Sequence, residues 1–175
     1  MKRSELEHII RASGAVAGSG EIVVVGSQAI LGAHPEASEE LTRSMEADVF
    51  PLREPQKADL IDGSIGELSP FHEQFGYYAH GVSPETAVLP ANWQERLVAV
   101  HNENTGGVTG WCLAPADLAV SKLVAGRAKD VAFVGALLRR GWVNEPELRM
   151  ALAALPAEAA AQAGQALACC RAGNK

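Results

Sequence analysis

Four successive β-branched residues, Ile22-Val23-Val24-Val25, follow Glu21 and are closed by Gly26-Ser27. Branching at Cβ favours extended backbone, and an unbroken apolar run leaves no face for water. A strand of this kind is buried on both sides, so the chain must supply other strands and covering helices around it. Leu6, Ile9, Ile10, Ser13, Val16 and Ala17 recur at helical spacing, which predicts an amphipathic helix over residues 3–17 ended by Ala17-Gly18-Ser19-Gly20. After Gly26-Ser27, Gln28-Ala29-Ile30-Leu31 reads as helix, followed by a polar stretch from His34 to Arg43.

Further strands are predicted where apolar and polar residues alternate or β-branched residues cluster: Glu46–Phe50 closed by Pro51, Tyr77–Val82, Arg96–His101 and Val108–Leu113. Residues 56–76 read as helix followed by loop, and Asn102–Gly107 as the loop of a hairpin. From Ala114 the chain turns helical, over about 115–125, 128–140 and 144–154, with an alanine-rich helix from 157 to about 171. The expected class is α+β: a mixed sheet flanked by helices in residues 1–114, and a helical region in 115–175 packed on that core.

Charge and cysteine usage limit the function classes. With 15 basic and 21 acidic residues the net charge is −6, which disfavours a nucleic-acid coat because phosphate neutralisation wants a basic surface. Cys169 and Cys170 are adjacent and cannot staple a fold, and Cys112 stands alone, so a reducing, cytoplasmic setting is expected. The longest apolar run, Ile22 to Ala33, is too short for a bilayer span, and Glu5 and Glu7 interrupt any signal-like N-terminus. No membrane partner is therefore expected.

Two short motifs carry the chemistry. Gly26-Ser27, between a buried strand and a helix, lets backbone approach a ligand closely and offers a hydroxyl to phosphate oxygens. Glu46-Ala47-Asp48 puts two carboxylates on one face of a strand, where their repulsion is relieved by Mg²⁺ or Mn²⁺ with phosphate as co-ligand. Apolar-Gly-Ser followed by acid-apolar-acid-apolar resembles the nucleotidyltransferase superfamily with its polymerase-β-like fold. Arg43-Ser44-Met45 is similar to the lead-in of the AbiEii-type, toxin-like branch, as is Asp117-Leu118 followed by Ser121-Lys122-Leu123-Val124-Ala125-Gly126-Arg127-Ala128-Lys129-Asp130. Were that segment one helix, Lys122, Gly126 and Lys129 would share a face.

The resemblance implies transfer of a nucleoside monophosphate from a nucleoside triphosphate, with Mg²⁺ (or Mn²⁺) as cofactor and a protein hydroxyl, tRNA or small molecule as acceptor. It implies Glu46 and Asp48 as catalytic metal ligands, Gly26 and Ser27 as nucleotide-binding residues, and Lys122 as countercharge to the departing pyrophosphate. The first acid is Glu where the family usually has Asp, and 18 residues separate Ser27 from Glu46. Active members add a third carboxylate from a neighbouring strand, for which Glu85 and Glu103 are the candidates. The alternative is a catalytically degenerate interaction module of a toxin–antitoxin system, with Leu148, Leu152, Leu155 and Leu167 offered to a partner helix. The five histidines lack metal-ligand spacing, the Ser69–Phe71 and Phe75–Tyr78 segments and the tryptophans are assigned to packing, and Cys112 has no recognisable histidine partner.

Overall fold

The computed structural model describes residues 1–172. The chain divides into two compact units, one of Met1–Ala87 with Leu97–Leu113, the other of Val88–Arg96 with everything described from Ala114 on.

In the first unit, α1 (Arg3–Ala17) leads through Gly18, in the left-handed conformation, to β1 (Glu21–Val24). A 3-10 turn at Ser27–Ala29 runs into α2 (Ile30–Ala33), and α3 (Glu39–Thr42) precedes β2 (Glu46–Pro51). The connection to β3 (Tyr78–Gly81) contains α4 (Ala58–Ile65) and α5 (Pro70–Phe75), whose N-cap Ser69 accepts from the His72 N–H. A hairpin of β4 (Val98–Val100) and β5 (Thr109–Cys112) completes a sheet of order β3-β2-β1-β5-β4. β1 lies at its centre, antiparallel to β2 and parallel to β5, and Ile22, Val23 and Val24 are fully buried, as their composition requires.

Register assigns the faces. Val24 pairs with Val49 and with Cys112, and Ala47 pairs with Ala79, so these residues share one side of the pleat. That side packs against α1, α2 and α4. A Cβ at Gly110 would overlap the Ile10 side chain, and one at Gly32 would meet Cys112, so both glycines mark close helix–sheet approach. Glu46 and Asp48 pair with Tyr78 and His80 on the opposite side.

The second unit holds α6 (Pro115–Ala125), α7 (Ala128–Arg139), α8 (Glu145–Ala153) and α9 (Ala157–Ala172). Gly126, left-handed at φ +64°, ends α6. The segment from Ser121 to Asp130 is therefore not one helix, and Lys122 and Lys129 lie on different helices rather than on a shared face. Leu148, Leu152, Leu155 and Leu167 are at most 9% exposed, buried in this unit's own apolar core instead of offered to a partner helix. Among the described residues, no helix is long and apolar enough to cross a membrane.

Gly110→Ala is expected to cost about 1–3 kcal/mol through overpacking against Ile10, read as a lower urea midpoint at unchanged m. Ile10→Val in the same chain should recover part of the loss by removing the Cδ1 methyl. A midpoint unaffected by Gly110→Ala would contradict this account of the helix–sheet contact.

Candidate active site

Val25 extends the β1–β2 pairing by donating its N–H to the Asp48 carbonyl at 2.9 Å. The next residue, Gly26, has φ +60° and ψ −174°, a backbone region open essentially to glycine alone. A Cβ on Gly26 would collide with the Asp48 carboxylate. The Gly-Ser turn and the acidic pair are thus in direct van der Waals contact. Ser27 follows at the first position of the 3-10 turn, half-buried, its hydroxyl without a hydrogen bond among the described residues.

Neighbouring polar contacts fix where β2 begins. Gln28, buried beside Ser27, donates its side-chain amide to the Ser44 carbonyl at 3.1 Å. The Ser44 hydroxyl accepts the Glu46 N–H at 3.1 Å. The Met1 ammonium donates to the carbonyls of Thr42 and Ser44.

β3 supplies a donor to each acid. The Tyr78 hydroxyl donates to Glu46 Oε2 at 3.2 Å, and His80 Nδ1 lies 2.9 Å from Asp48 Oδ1. Burial, together with the charge of Glu46 and its hydrogen bond, pushes the Tyr78 phenol up to about 12, so it stays protonated and acts as the donor. The His72 ring packs against Tyr78 at 4.5 Å between centroids, tilted by 47°, and steadies the phenol. Each carboxylate keeps one oxygen without a hydrogen bond among the described residues, Glu46 Oε1 and the Asp48 Oδ2 that packs against Gly26. A pair of carboxylates with one oxygen each to spare suits a hard divalent cation whose other positions go to phosphate and water.

The other sequence-derived candidates have partners of their own or belong to other elements. Lys122 belongs to the second unit, where its ammonium pairs with Asp130 at 3.2 Å and sits 5.6 Å from the Phe133 ring centroid. Burial opposes the charge on Asp130, but hydrogen bonds from Arg127 and the nearby Lys122 outweigh it and hold the carboxyl below its ordinary value of 3.8. Glu85 is in the 3-10 turn after β3, its carboxylate engaged by its own backbone N–H and the Ser83 hydroxyl. Glu103 is in the turn before β5, next to the start of β1 and so at the far end of that strand from Gly26. Neither glutamate joins the pair. Cys112 is fully buried and its thiol is pushed up to about 12, which makes it inert. An open cavity of about 810 Å³ lies between the start of α1 and the segment before β2. Arg3, Glu36, Glu39 and Arg43 are among its lining residues, and none of the acidic-pair residues is.

A family model described as nucleotidyltransferase of unknown function (DUF6036) matches residues 4–154, most of the chain. The chain belongs to this nucleotidyltransferase family. No curated protein and no solved structure matches it. The family assignment agrees with the resemblance carried by Gly26-Ser27 and Glu46-Ala47-Asp48, and the fold is the expected mixed sheet flanked by helices.

Sequence reading missed Tyr78 and His80. One signal for them exists, an aromatic and an imidazole two residues apart on a strand, but it acquires meaning only once β3 is known to pair with β2 in this register.

Gly26→Ala is expected to destabilise the first unit by about 1–3 kcal/mol, because the new methyl meets both a forbidden backbone region and the Asp48 carboxylate. Urea unfolding checks this, and a neutral result would remove the steric account of the turn. In the second unit, Asp130→Asn should cost about 3–5 kcal/mol at neutral pH by removing the buried carboxylate that pairs with the largely buried Lys122 ammonium. A lowered native pKa means that the wild-type stabilisation is complete above 3.8 and fades as pH falls below it. Denaturation midpoints against pH should show this acid-side loss in the wild type and a flatter profile in Asp130→Asn.

Proposed function

We propose that the first unit transfers a nucleoside monophosphate from a metal-bound nucleoside triphosphate to an acceptor hydroxyl. The observation that carries the reading is the contact between Gly26 and Asp48, which brings a phosphate-suited turn and a cation-suited acid pair to one spot on the sheet. Gly26 lets the Asp48 carboxylate pack against the turn, and the Ser27 hydroxyl beside it is available to donate to a phosphate oxygen. Glu46 Oε1 and Asp48 Oδ2 are the oxygens that would hold Mg²⁺ or Mn²⁺, which when bound supplies charge neutralisation for the triphosphate. Tyr78 and His80 fix the orientation of the two carboxylates by occupying their other oxygens. Transfer at phosphorus depends mainly on positioning and electrostatics, and these residues, all in the first unit, provide both.

A second reading draws on one observation. Beside the acid pair β3 presents a phenol and an imidazole, and among the described residues no third carboxylate joins the pair, although the resemblance to active members implies one. On that reading the chain is a nucleotide-binding or interaction module, and the likeness of Arg43-Ser44-Met45 and the 117–130 segment to the AbiEii-type branch favours a toxin–antitoxin setting for either reading.

Calorimetric titration with ATP, CTP, GTP and UTP in the presence of Mg²⁺ tests the proposal. At least one should bind, and Asp48→Asn should weaken it tenfold or more, about 1.4 kcal/mol. Absence of binding by all four, or an Asp48→Asn chain that binds like the wild type, would overturn it.

A further inference from the structure

We propose that the chain is its own acceptor, with Tyr78 Oη taking the nucleoside monophosphate; the proposal rests on the nucleotidyl-transfer reading above. Sheet order gives the first argument. The Gly26-Ser27 turn follows β1 and lies on one flank of β2, whereas Tyr78 lies on β3 at the other flank. Phosphates held at the turn and an oxygen arriving from β3 therefore stand on opposite sides of the acid pair. An in-line displacement needs this disposition of leaving group and nucleophile.

The hydroxyl groups near the pair give the second argument. Tyr78 Oη is 3.2 Å from Glu46 Oε2, and its ring is half-buried and held by His72, so the oxygen keeps its direction while staying within reach of solvent. The adjacent Tyr77 hydroxyl is turned elsewhere, to His8 Nδ1 at 2.9 Å, within a cluster that includes Phe71 and Phe75. Alternation along the strand thus separates two neighbouring tyrosines and commits one of them to the acids.

The step balances without an external reagent. A Tyr78 Oη lone pair forms the bond to the α-phosphorus, and the bond from that phosphorus to the bridging oxygen of the β-phosphate breaks. Pyrophosphate leaves with that electron pair. The phenol keeps its proton until the oxygen–phosphorus bond forms, and the proton then passes to Glu46 Oε2, the atom to which it is already hydrogen-bonded.

The test is intact-mass spectrometry of the full chain after incubation with each of the four nucleoside triphosphates and Mg²⁺ or Mn²⁺. The expected result is a mass gain of one nucleoside monophosphate less water, mapped by fragmentation to Tyr78. It should be lost in Tyr78→Phe, which keeps the ring against His72, and kept in Tyr77→Phe. Nucleotide binding without a mass gain in the wild type, or an adduct that survives Tyr78→Phe, overturns the acceptor assignment and leaves the transfer reading standing. Failure of any nucleotide to bind overturns both.

Discussion

The register between β1 and β2 is the constraint on which the site depends. Side chains alternate along a strand, so a slip of one residue would carry Glu46 and Asp48 to the face covered by α1, α2 and α4. Two carboxylates would then be buried among apolar side chains, and Ala47 and Val49 would face outward. The cost of that exchange far exceeds what a marginally stable domain can absorb, so the apolar pattern of β1 and β2 also fixes where the acids point. Gly26 completes the lock, because no other residue can stand beside Asp48 with that backbone conformation.

How a carboxylate is partnered separates structural acids from the candidate site. Glu7 is buried against Arg3, Asn102 and Asn104, Asp117 accepts a bidentate pair from Arg96, and Asp130 is held by Arg127 and Lys122. In each case a permanent cation answers the charge, as a buried carboxylate requires. Glu46 and Asp48 instead meet a phenol and an imidazole, and each retains an oxygen without a hydrogen bond among the described residues.

Local pattern made most of the fold legible. The β-branched run at residues 22–25, the acid-apolar alternation at 46–50 and the helical spacing in 3–17 each correspond to an element at nearly those bounds, since each is dictated by its own residues. The contact between Gly26 and Asp48 was legible as two motifs in order. What could not be read was pairing across long separations. Tyr78 and His80 matter because β3 lies beside β2, and nothing in the intervening 26 residues announces that neighbour. The condition for a face shared by Lys122 and Lys129 is not met, because Gly126 ends the helix between them, and Lys122 pairs with Asp130. The leucines of the C-terminal region looked available because alanine dilutes the apolar pattern, yet four helices are enough to bury them.

β2 and β3 run parallel, so their connection cannot be a tight turn and instead carries α4 and α5. One half of the site is consequently written in a short, rigid stretch of chain around β1 and β2, and the other half arrives on an edge strand at the end of a long excursion. The glycine turn and the acids are thus set by one strand pair, whereas Tyr78 and His80 reach those acids only when the whole excursion through α4 and α5 has folded.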